Sequence, residues 1–382
     1  MTTQLTRPLR LGMVGGGRGA FIGAVHKIAS ELDGKAQLVA GALSSDPAVA
    51  TQSAANWFLP RSYHSFQEMA VAEAAHPEGI DAVIITTPNH LHASVASAFI
   101  KAGIHVMCEK PLAFDLAEAL ELQQLLSQHS VLMALAHSYT GYPAVEEAKA
   151  KVACGELGVI RKVLVEYHQD WLMQPLEQQS DNKQAGWRTD PAKAGISCCV
   201  GDIGTHAANL VEYITGDTIS EVCADLSTFV PGRTLDDDAN MLLRLSSGAK
   251  GTLTCSQIAC GEENNLRIRI YGSKASLEWQ QQEPNSLRYC PAGQPWQLLR
   301  TGVNLSSPLA LAGTRLPGGH PEGYFESLAN IYRRFFHDIH LTQTGQPALG
   351  GYPGITEGVR GMALIAAAVT SSTKNASWVS LK

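Results

Sequence analysis

Residues 9–20 read LRLGMVGGGRGA, and this stretch decides the fold of the N-terminal part of the chain. The apolar run at its start predicts a β-strand over residues 9–14, and helical spacing of apolar residues follows over residues 21–32. Small residues between the two elements have the spacing G-x-G-x-x-G/A: Gly15, Gly17 and Ala20. Such a turn brings the backbone close to a pyrophosphate and leaves free N–H groups at a helix N-terminus. The stretch therefore predicts a dinucleotide site, and a merely flexible glycine loop is the alternative. The predicted coenzyme contacts here are Gly15, Gly17, Arg18, Ala20 and Phe21.

The end of the second predicted strand, at residues 37–43, bears on which coenzyme this site takes. Enzymes that use NAD place an acidic residue about 20 residues past the glycines, where it holds the ribose 2′-hydroxyl. Here Ser44 and Ser45 come first and Asp46 follows. Two hydroxyls would not repel a 2′-phosphate, which favours NADP, whereas Asp46 could still reach the ribose. The sequence does not decide between NAD and NADP, and it weakly favours NADP.

Helices and strands alternate after this point. They are predicted, in chain order, over residues 65–75, 81–87, 92–102, 103–108, 115–128 and 131–136. The β-α-β-α rhythm predicts a doubly wound parallel sheet of the Rossmann type. One strand ends in Thr87, Pro88 and Asn89, on the same sheet edge as the glycine loop. The next two histidines, His90 and His92, could be ligands, but a pair near a helix start is more typical of capping or packing residues.

The strand at residues 103–108 stops abruptly at Glu109, Lys110 and Pro111. Open α/β sheets bind ligands at the carboxyl ends of their parallel strands, which is where this lysine falls. Lysine side chains at such sites can help to move a proton near neutral pH. Lys110 is therefore a candidate catalytic residue, and the alternative is a solvated surface turn.

The second half of the chain is rich in strands with alternating apolar and polar residues. These strands are predicted over residues 160–167, 221–230, 239–246, 249–260, 265–271, 276–281 and 296–299. We interpret those after residue 220 as consecutive hairpins of one antiparallel sheet. One face would carry helices, and the other would pair with a second subunit, because a wide sheet face is seldom left bare in a monomer.

The predicted fold class is therefore α/β: an N-terminal Rossmann domain, then a C-terminal α+β domain with a large, mostly antiparallel open sheet. The predicted boundary gives a dinucleotide-binding domain at residues 1–143 and a substrate-binding and oligomerisation domain at residues 144–382.

A polar stripe marks the helix predicted over residues 202–215. Its members fall at i, i+4, i+7 and i+11: Asp202, His206, Asn209 and Tyr213. A carboxylate one turn from an imidazole can hold the ring, as a general base requires. Taken alone the pair is typical of a helix surface, and it indicates catalysis only together with Lys110.

Two tryptophan-containing stretches precede this helix. They consist of Gln169, Asp170 and Trp171, and of Trp187 and Arg188. An indole face beside charged and amide groups suits a sugar, whose C–H surface packs on the ring while its hydroxyls bind the polar groups. A loop tryptophan that fills a domain junction is the alternative.

Composition argues against several other classes of protein. The 382 residues carry 29 Lys plus Arg against 35 Asp plus Glu, a net charge of −6, without a basic run, so nucleic acid is not an expected partner. No apolar run approaches the roughly 20 residues that span a bilayer, and residues 1–8 lack the apolar core of a signal peptide. The eight cysteines include no C-x-x-C pair, so no metal site is predicted. We expect a cytoplasmic protein.

In this order the motifs resemble those of the Gfo/Idh/MocA family of NAD(P)-dependent oxidoreductases. The residues that carry the resemblance are Gly15-x-Gly17-x-x-Ala20, Thr87-Pro88-Asn89, Glu109-Lys110-Pro111, and the stretch from Gly201 and Asp202 to His206. The resemblance spans nearly the whole chain. It implies a Rossmann domain, an α/β domain whose open sheet mediates dimers or tetramers, and substrates that are mostly sugars, inositols and their derivatives.

The resemblance also implies roles for single residues. Lys110 would bridge the substrate hydroxyl and the nicotinamide, Asp202 would grip the substrate, and His206 would act as general base in oxidation. Glu109 and residues 87–89 would lie around the nicotinamide ribose.

The stretches at residues 169–171 and 187–188 look like those of levoglucosan-type dehydrogenases. The chain departs from many members at residues 137–140, where they read Asn-Tyr-Arg, and Tyr139 is included among the substrate contacts. The implied reaction is hydride transfer between a nicotinamide coenzyme and a sugar, anhydrosugar or polyol. An NAD-dependent glycoside hydrolase and a non-catalytic sugar sensor of the same fold are the alternatives.

Overall fold

A computed structural model describes residues 7–179 and 182–381 of the chain. The sequence analysis expected no signal peptide in residues 1–8, and residues 1–6 of that stretch lie outside the described ranges. The chain divides into two compact units. Unit 1 comprises Met1–Ala136 and Leu328–Val359, and unit 2 comprises His137–Ser327 and Arg360–Lys382.

The described residues contain the following elements. The helices are α1 Phe21–Glu31, α2 Pro47–Asn56, α3 Phe66–Ala75, α4 His92–Lys101, α5 Leu116–Ser127, α6 Pro143–Ala153, α7 Lys183–Arg188, α8 Pro191–Ala194, α9 Thr205–Thr215, α10 Pro308–Gly313, α11 Tyr324–Gln343 and α12 Ile355–Thr373. The strands are β1 Leu9–Gly15, β2 Ala36–Ala42, β3 Arg61–Ser62, β4 Ala82–Thr86, β5 His105–Cys108, β6 Met133–Leu135, β7 Ile160–His168, β8 Ile219–Ser227, β9 Asp238–Leu245, β10 Lys250–Ser256, β11 Asn265–Gly272, β12 Ala275–Gln280, β13 Ser286–Pro291, β14 Gln297–Arg300 and β15 Val379–Ser380. No helix of the described ranges is both long enough and apolar enough to cross a membrane.

Unit 1 is built on a six-stranded sheet in the order β3-β2-β1-β4-β5-β6. All of its neighbouring strands run parallel. This is the strand order of a Rossmann fold, which places the segments after β1, β2, β4 and β5 at one edge of the sheet. The predicted doubly wound parallel sheet is confirmed.

One helix of unit 1 was not predicted. Pro47–Asn56 contains one large apolar residue, Val49, so its apolar periodicity is weak, and the clearest sequence signal for the helix is its N-terminus. Asp46 accepts hydrogen bonds from the N–H groups of Ala48 and Val49, at 2.8 and 3.1 Å. An aspartate cap followed by proline at the first helical position is typical of a helix N-terminus.

The observed division of the chain differs from the predicted boundary at residue 143. Unit 1 ends at Ala136 and includes Leu328–Val359 from near the C-terminus. In this unit Arg333 Nε lies 2.9 Å from Asp33 Oδ2, although the two residues are 300 positions apart. No local pattern predicts a contact at that separation.

Unit 2 contains a nine-stranded sheet in the order β14-β13-β12-β11-β7-β10-β9-β8-β15. Neighbouring strands are antiparallel except for β7 and β10, which run parallel. The expectation of consecutive hairpins is wrong at one point, since β7 separates β10 from β11 and pairs with both. A strand from earlier in the chain thus enters the middle of the sheet, which local alternation does not reveal.

The helix predicted from residue 202 begins with an irregular turn. Val200–Gly204 form one π-helical turn that continues into α9. The carboxylate of Asp236 fixes the chain that enters this turn, because it accepts hydrogen bonds from Ser197 Oγ and from the N–H groups of Cys198 and Val200, at 2.9–3.0 Å. Burial raises the pKa of Asp236 above its ordinary value, against the effect of these hydrogen bonds.

Candidate active site

The glycine-rich loop of unit 1 is shaped by contacts that a side chain would block. Gly15 and Gly16 have positive φ angles of 80° and 73°, which favour glycine. The N–H of Gly17 donates to the carbonyl oxygen of Leu43 at 3.1 Å. A Cβ on Gly17 would lie 2.6 Å from that same oxygen. The loop therefore lies directly against the end of β2 before it enters α1.

A glycine that the motif did not include brings α1 against this loop. Gly23 lies in the first turn of α1, and a Cβ there would fall 2.1 Å from the carbonyl oxygen of Gly16. Close helix packing is the role of the third small residue of the Rossmann pattern, which the sequence assigned to Ala20. The N–H of Ala20 instead donates to the carbonyl of Gly17 at 3.0 Å. Phe21 is 70% exposed at the helix start. A tight glycine turn that leads into a close-packed helix N-terminus fits the pyrophosphate of a dinucleotide.

The segment after β2 contains Ser44 and Ser45, and the guanidinium of Arg18 comes from the glycine loop. The carboxylate of Asp46 caps α2, and Ser44 Oγ accepts the N–H of Asp46 at 3.1 Å. Ser45 is exposed. Arg18 Nη1 donates to the side chain of Gln52 on α2 at 2.9 Å. The acidic residue that could have held a ribose is thus engaged by its own helix, while hydroxyls and a guanidinium lie beside the glycine loop.

One imidazole joins the segments that follow β4 and β5. His92 Nδ1 lies 2.7 Å from the carbonyl oxygen of Pro111, and Nε2 lies 2.8 Å from that of Thr87. Burial lowers the pKa of His92, although both carbonyl contacts act in the opposite direction. The hydroxyl of Thr87 is buried and has no hydrogen-bond partner among the described residues. Such an orphaned hydroxyl fits a binding edge for a polar ligand, such as the sugar and amide groups of a dinucleotide.

Glu109 is an ionised carboxylate at the end of β5. Its Oε1 lies 2.8 Å from Nε2 of His26 on α1. Burial alone would raise the pKa of Glu109, but the hydrogen bond and charge of His26, together with the charge of Lys110, lower it. Lys110 is half-buried and precedes Pro111 through a cis peptide bond. Unit 1 thus brings together the predicted coenzyme residues and Lys110 at one sheet edge.

In unit 2 the carboxylate of Asp202 is held by two side chains. Its Oδ2 lies 3.3 Å from Nε of Arg188 and 2.9 Å from Nε2 of Gln257. The guanidinium carbon of Arg188 lies 4.2 Å from the ring centroid of Trp187 and 5.8 Å from that of Trp171. The structure therefore brings the ion pair of Arg188 with Asp202 together with two indole rings; Arg188 and the tryptophans were grouped by the sequence analysis, whereas the ion pair with Asp202 was not predicted.

A hydrogen-bonded network connects Trp171 to Tyr139. Trp171 Nε1 donates to Gln169 Oε1 at 3.0 Å, and Gln169 Nε2 donates to Asn264 Oδ1 at 2.7 Å. The amide nitrogen of Asn264 donates to the hydroxyl of Tyr139 at 3.2 Å, and that hydroxyl lies 2.5 Å from the hydroxyl of Tyr167. Burial raises the pKa of both tyrosines well above its ordinary value, so both hydroxyls remain protonated.

His206 is buried among aromatic rings. Its ring centroid lies 4.8 Å from that of Tyr139 and 5.2 Å from that of His137. His206 and Asn209 are each only 7% exposed. The polar stripe of α9 therefore faces the interior of unit 2, which argues against its interpretation as an ordinary helix surface.

Within the described ranges, no three His, Cys, Asp or Glu side chains lie close enough together to hold a metal ion.

Two of the predicted substrate contacts, Asp170 and Trp171, also make contacts that support the local structure. The carboxylate of Asp170 accepts the N–H of Gly261 at 3.2 Å, in the turn after β10. Trp171 also packs against a small apolar cluster of unit 2 around Leu172. Sequence reasoning missed Gln257 and Asn264, whose contacts are 55 or more positions away along the chain.

The fold and the loop of unit 1 define a dinucleotide-binding protein of the Rossmann type. Residues 9–137 match the model of an oxidoreductase family with an NAD-binding Rossmann fold, and residues 145–278 match the GFO/IDH/MocA C-terminal domain. The chain belongs to the Gfo/Idh/MocA family of oxidoreductases, and it is an NAD-binding oxidoreductase of that family.

Relatives extend over the whole chain. An uncharacterised oxidoreductase of Bacillus subtilis is 35% identical over 386 residues, which cover 99% of this chain and 98% of its own. The crystal structure of an inositol dehydrogenase homologue from Azotobacter vinelandii, complexed with NADH and myo-inositol, is 34% identical with a TM-score of 0.91 and covers 98% of each chain. A levoglucosan dehydrogenase in complex with NADH and levoglucosan is 27% identical with a TM-score of 0.83, and covers 98% of this chain and 100% of its own.

Proposed function

We propose that this protein is an NAD(P)-dependent dehydrogenase that acts on a hydroxyl or carbonyl carbon of a sugar, anhydrosugar or polyol. The observation that carries this proposal is the cluster in unit 2 in which Asp202 and Arg188 lie beside two indole rings, with His206 buried one turn further along. A sugar offers an apolar C–H face and several hydroxyls, which match indole faces and charged groups. The two solved relatives hold molecules of this chemistry, myo-inositol and levoglucosan.

Different residues of this chain transfer the proton and orient the substrate. His206 removes the hydroxyl proton when the substrate is oxidised and returns it in the reverse direction. Lys110 polarises the reacting oxygen, and Asp202, held by Arg188 and Gln257, orients the substrate. Bound NAD(P) supplies the carbon that accepts the hydride from the C–H bond. A positioned base contributes roughly 10² to 10⁴ to the rate.

The coenzyme side of the proposal uses the residues that unit 1 gathers at one sheet edge. The glycine loop and the start of α1 would hold the pyrophosphate. The nicotinamide ribose and amide would be held by the segments after β4 and β5, through Thr87, Pro88, Asn89 and Glu109. The orphaned hydroxyl of Thr87 and the ionised carboxylate of Glu109 support this assignment.

We further propose that NADP is accepted at least as well as NAD. Ser44 and Ser45 would not repel a 2′-phosphate, Arg18 lies in the adjoining loop, and Asp46 is engaged as a helix cap. Comparison of kcat/KM for the two coenzymes tests this directly, and a strong preference for NAD would overturn it.

We also propose that the open face of the nine-stranded sheet pairs with a second copy of the chain. On β7, residues of one face are buried, whereas those of the other are half-exposed: Leu164, Glu166 and His168. A wide sheet face of this kind is seldom left uncovered. Light scattering on the purified protein should give a dimer or tetramer, and a monomer at micromolar concentration would contradict the proposal.

A panel of sugars, anhydrosugars and polyols, tested with both coenzymes at the nicotinamide absorbance, is the experiment that tests the function. We expect reduction of the coenzyme with at least one member of the panel. Release of sugar from a glycoside without net reduction would replace the proposal by a glycoside hydrolase. Tight sugar binding with no turnover across the panel would replace it by a sugar sensor.

A further inference from the structure

We propose that His137 is a positioning residue that fixes the tautomer and orientation of His206; this rests on the proposed function, in which His206 is the base. Nδ1 of His137 lies 3.4 Å from Nδ1 of His206, and the two ring planes meet at 83°. Because neutral imidazole has one donor and one acceptor nitrogen, one ring must donate and the other accept across this contact.

The direction of that hydrogen bond decides which nitrogen of His206 can take a proton. When Nδ1 of His206 carries the hydrogen and donates it to His137, the lone pair of Nε2 is left for the substrate hydroxyl. His137 then carries its own hydrogen on Nε2. Once His206 has taken up the substrate proton, its Nδ1–H still donates to His137, so the contact is present in both protonation states. His137 thus provides the acceptor that a carboxylate often provides for a catalytic imidazole.

Several other titratable groups lie near His206. The titratable side chains near its ring include His137, Tyr139 and Tyr167, with ring centroids at 5.2, 4.8 and 6.3 Å, and Asp202 lies one turn earlier. The two tyrosine hydroxyls bond to each other, and Oδ2 of Asp202 is shared by a guanidinium and an amide. Nδ1 of His137, at 3.4 Å, is within hydrogen-bond reach of Nδ1 of His206 and can accept its hydrogen.

The backbone that carries His137 is tied down, as a positioning role requires. Its carbonyl oxygen accepts the N–H and the hydroxyl of Thr140, at 3.1 and 2.9 Å, in the 3₁₀ turn Ser138–Gly141. The hydroxyl of Ser327 donates to the carbonyl of Ser138 in the same turn. His137 itself is only 2% exposed. Its ring therefore has little freedom to move away from His206.

Two substitutions of His137 separate an acceptor from mere packing. His137→Leu fills space without accepting a hydrogen bond, whereas His137→Asn keeps an oxygen that can accept at a similar reach. We expect H137L to lower kcat about 10²-fold, the low end of what a positioned base contributes, with unchanged Kd for the coenzyme. The acid limb of its kcat/KM profile should move to lower pH, because protonated His206 has lost an acceptor. H137N should restore most of the rate.

His105 in unit 1 offers a matched control, since it is also buried and its Nδ1 accepts the N–H of Leu132 at 2.9 Å. His105→Leu should lower the Tm without moving the pH profile. Wild-type kcat and an unshifted profile in H137L, or equal loss in H137L and H137N, would overturn the role of His137.

A readout without turnover separates this inference from the proposed function. The ¹⁵N shifts of the histidine side chains, with His206 assigned through H206N, report the tautomer in the wild-type protein. We expect the Nδ1–H tautomer for His206, and an Nε2–H tautomer would contradict the inference even if the enzyme is active. Absence of turnover in the wild-type protein, with the expected tautomer, would instead contradict the proposed function.

Discussion

The side-chain amide of Gln257 donates a hydrogen bond of 2.9 Å to the carboxylate of Asp202. Gln257 follows β10 directly and is fully buried. The backbone N–H of Gln257 donates to the carbonyl of Asp237 at 2.9 Å, which holds the backbone of Gln257 beside the start of β9. The sheet of unit 2 therefore sets the direction of a carboxylate that sits on the π-helical turn before α9.

Gln257→Leu should lower kcat/KM for the substrate about 10- to 100-fold, because a hydrogen bond to a charged group is worth about 1.5–3 kcal/mol. Steady-state kinetics measures this. Gln280→Leu, which changes a glutamine of β12 outside the cluster, serves as the control and should keep the wild-type value. An unchanged kcat/KM in Q257L would show that Asp202 does not need this partner.

Gly23→Ala tests the packing of α1 against the glycine loop. Because the new Cβ would lie 2.1 Å from a backbone oxygen of Gly16, the helix must shift. We expect a loss of about 1–3 kcal/mol in stability and weaker coenzyme binding, measured by thermal unfolding and by titration with NADH. Gly186→Ala is the matched control, since its added Cβ would meet no atom within 4 Å beyond its chain neighbours and the backbone of its own helix. If G23A binds NADH as tightly as wild type, the loop does not hold the coenzyme as proposed.

Most elements of the fold could be predicted because their signals are local. The strand before Gly15, the helix after it and the apolar strand before Glu109 each show their pattern within a dozen residues. α2 was missed because its residues are small and polar, so that the cap at Asp46 was its clearest mark. The place of β7 in the sheet depends on pairing with strands far along the chain, which no local pattern contains.

Residues of the candidate site could be predicted where they directly follow a strand or lie one helical turn apart. Lys110, Asp202 and His206 were identified in this way. Gln257 stands in a stretch with no distinguishing pattern, and its contact with Asp202 exists only once β10 is paired with β7 and β9. His137 was noted only as part of a departure from the family pattern, because its neighbour lies 69 residues away.

The Glu109–His26 contact predicts a pH dependence of stability. The pKa of Glu109 is lowered in the folded protein from its ordinary value of 4.5, so the unfolded chain takes up a proton more readily than the native protein. This contribution to the free energy of unfolding is present above about pH 4.5 and is lost as the pH falls through the folded pKa. Glu109→Gln should therefore show a shallower decline in acid.

Chemical denaturation of wild type and E109Q at a series of pH values measures this difference. Glu121→Gln, which changes an exposed glutamate of α5, should follow the wild-type curve. Parallel curves for wild type and E109Q would mean that His26 does not hold the carboxylate ionised.

Ser44→Asp tests the basis of coenzyme choice. A carboxylate at the end of β2 would repel a 2′-phosphate and could bind a 2′-hydroxyl. The ratio of kcat/KM for NADP to that for NAD should fall at least about 10-fold, the change produced by about 1.4 kcal/mol. Ser62→Asp, on the edge strand β3, controls for added negative charge. An unchanged ratio in S44D would place the 2′ position elsewhere.

The central claim is that Lys110 takes part in a dehydrogenase reaction on a sugar or polyol, and kinetics of Lys110→Ala tests it most directly. Turnover and coenzyme Kd are measured together for wild type, K110A and Lys101→Ala, which removes an exposed lysine of α4. We predict that K110A loses at least about 10²-fold in kcat with an unchanged Kd for the coenzyme, while K101A matches wild type. Wild-type kcat in K110A would contradict the account.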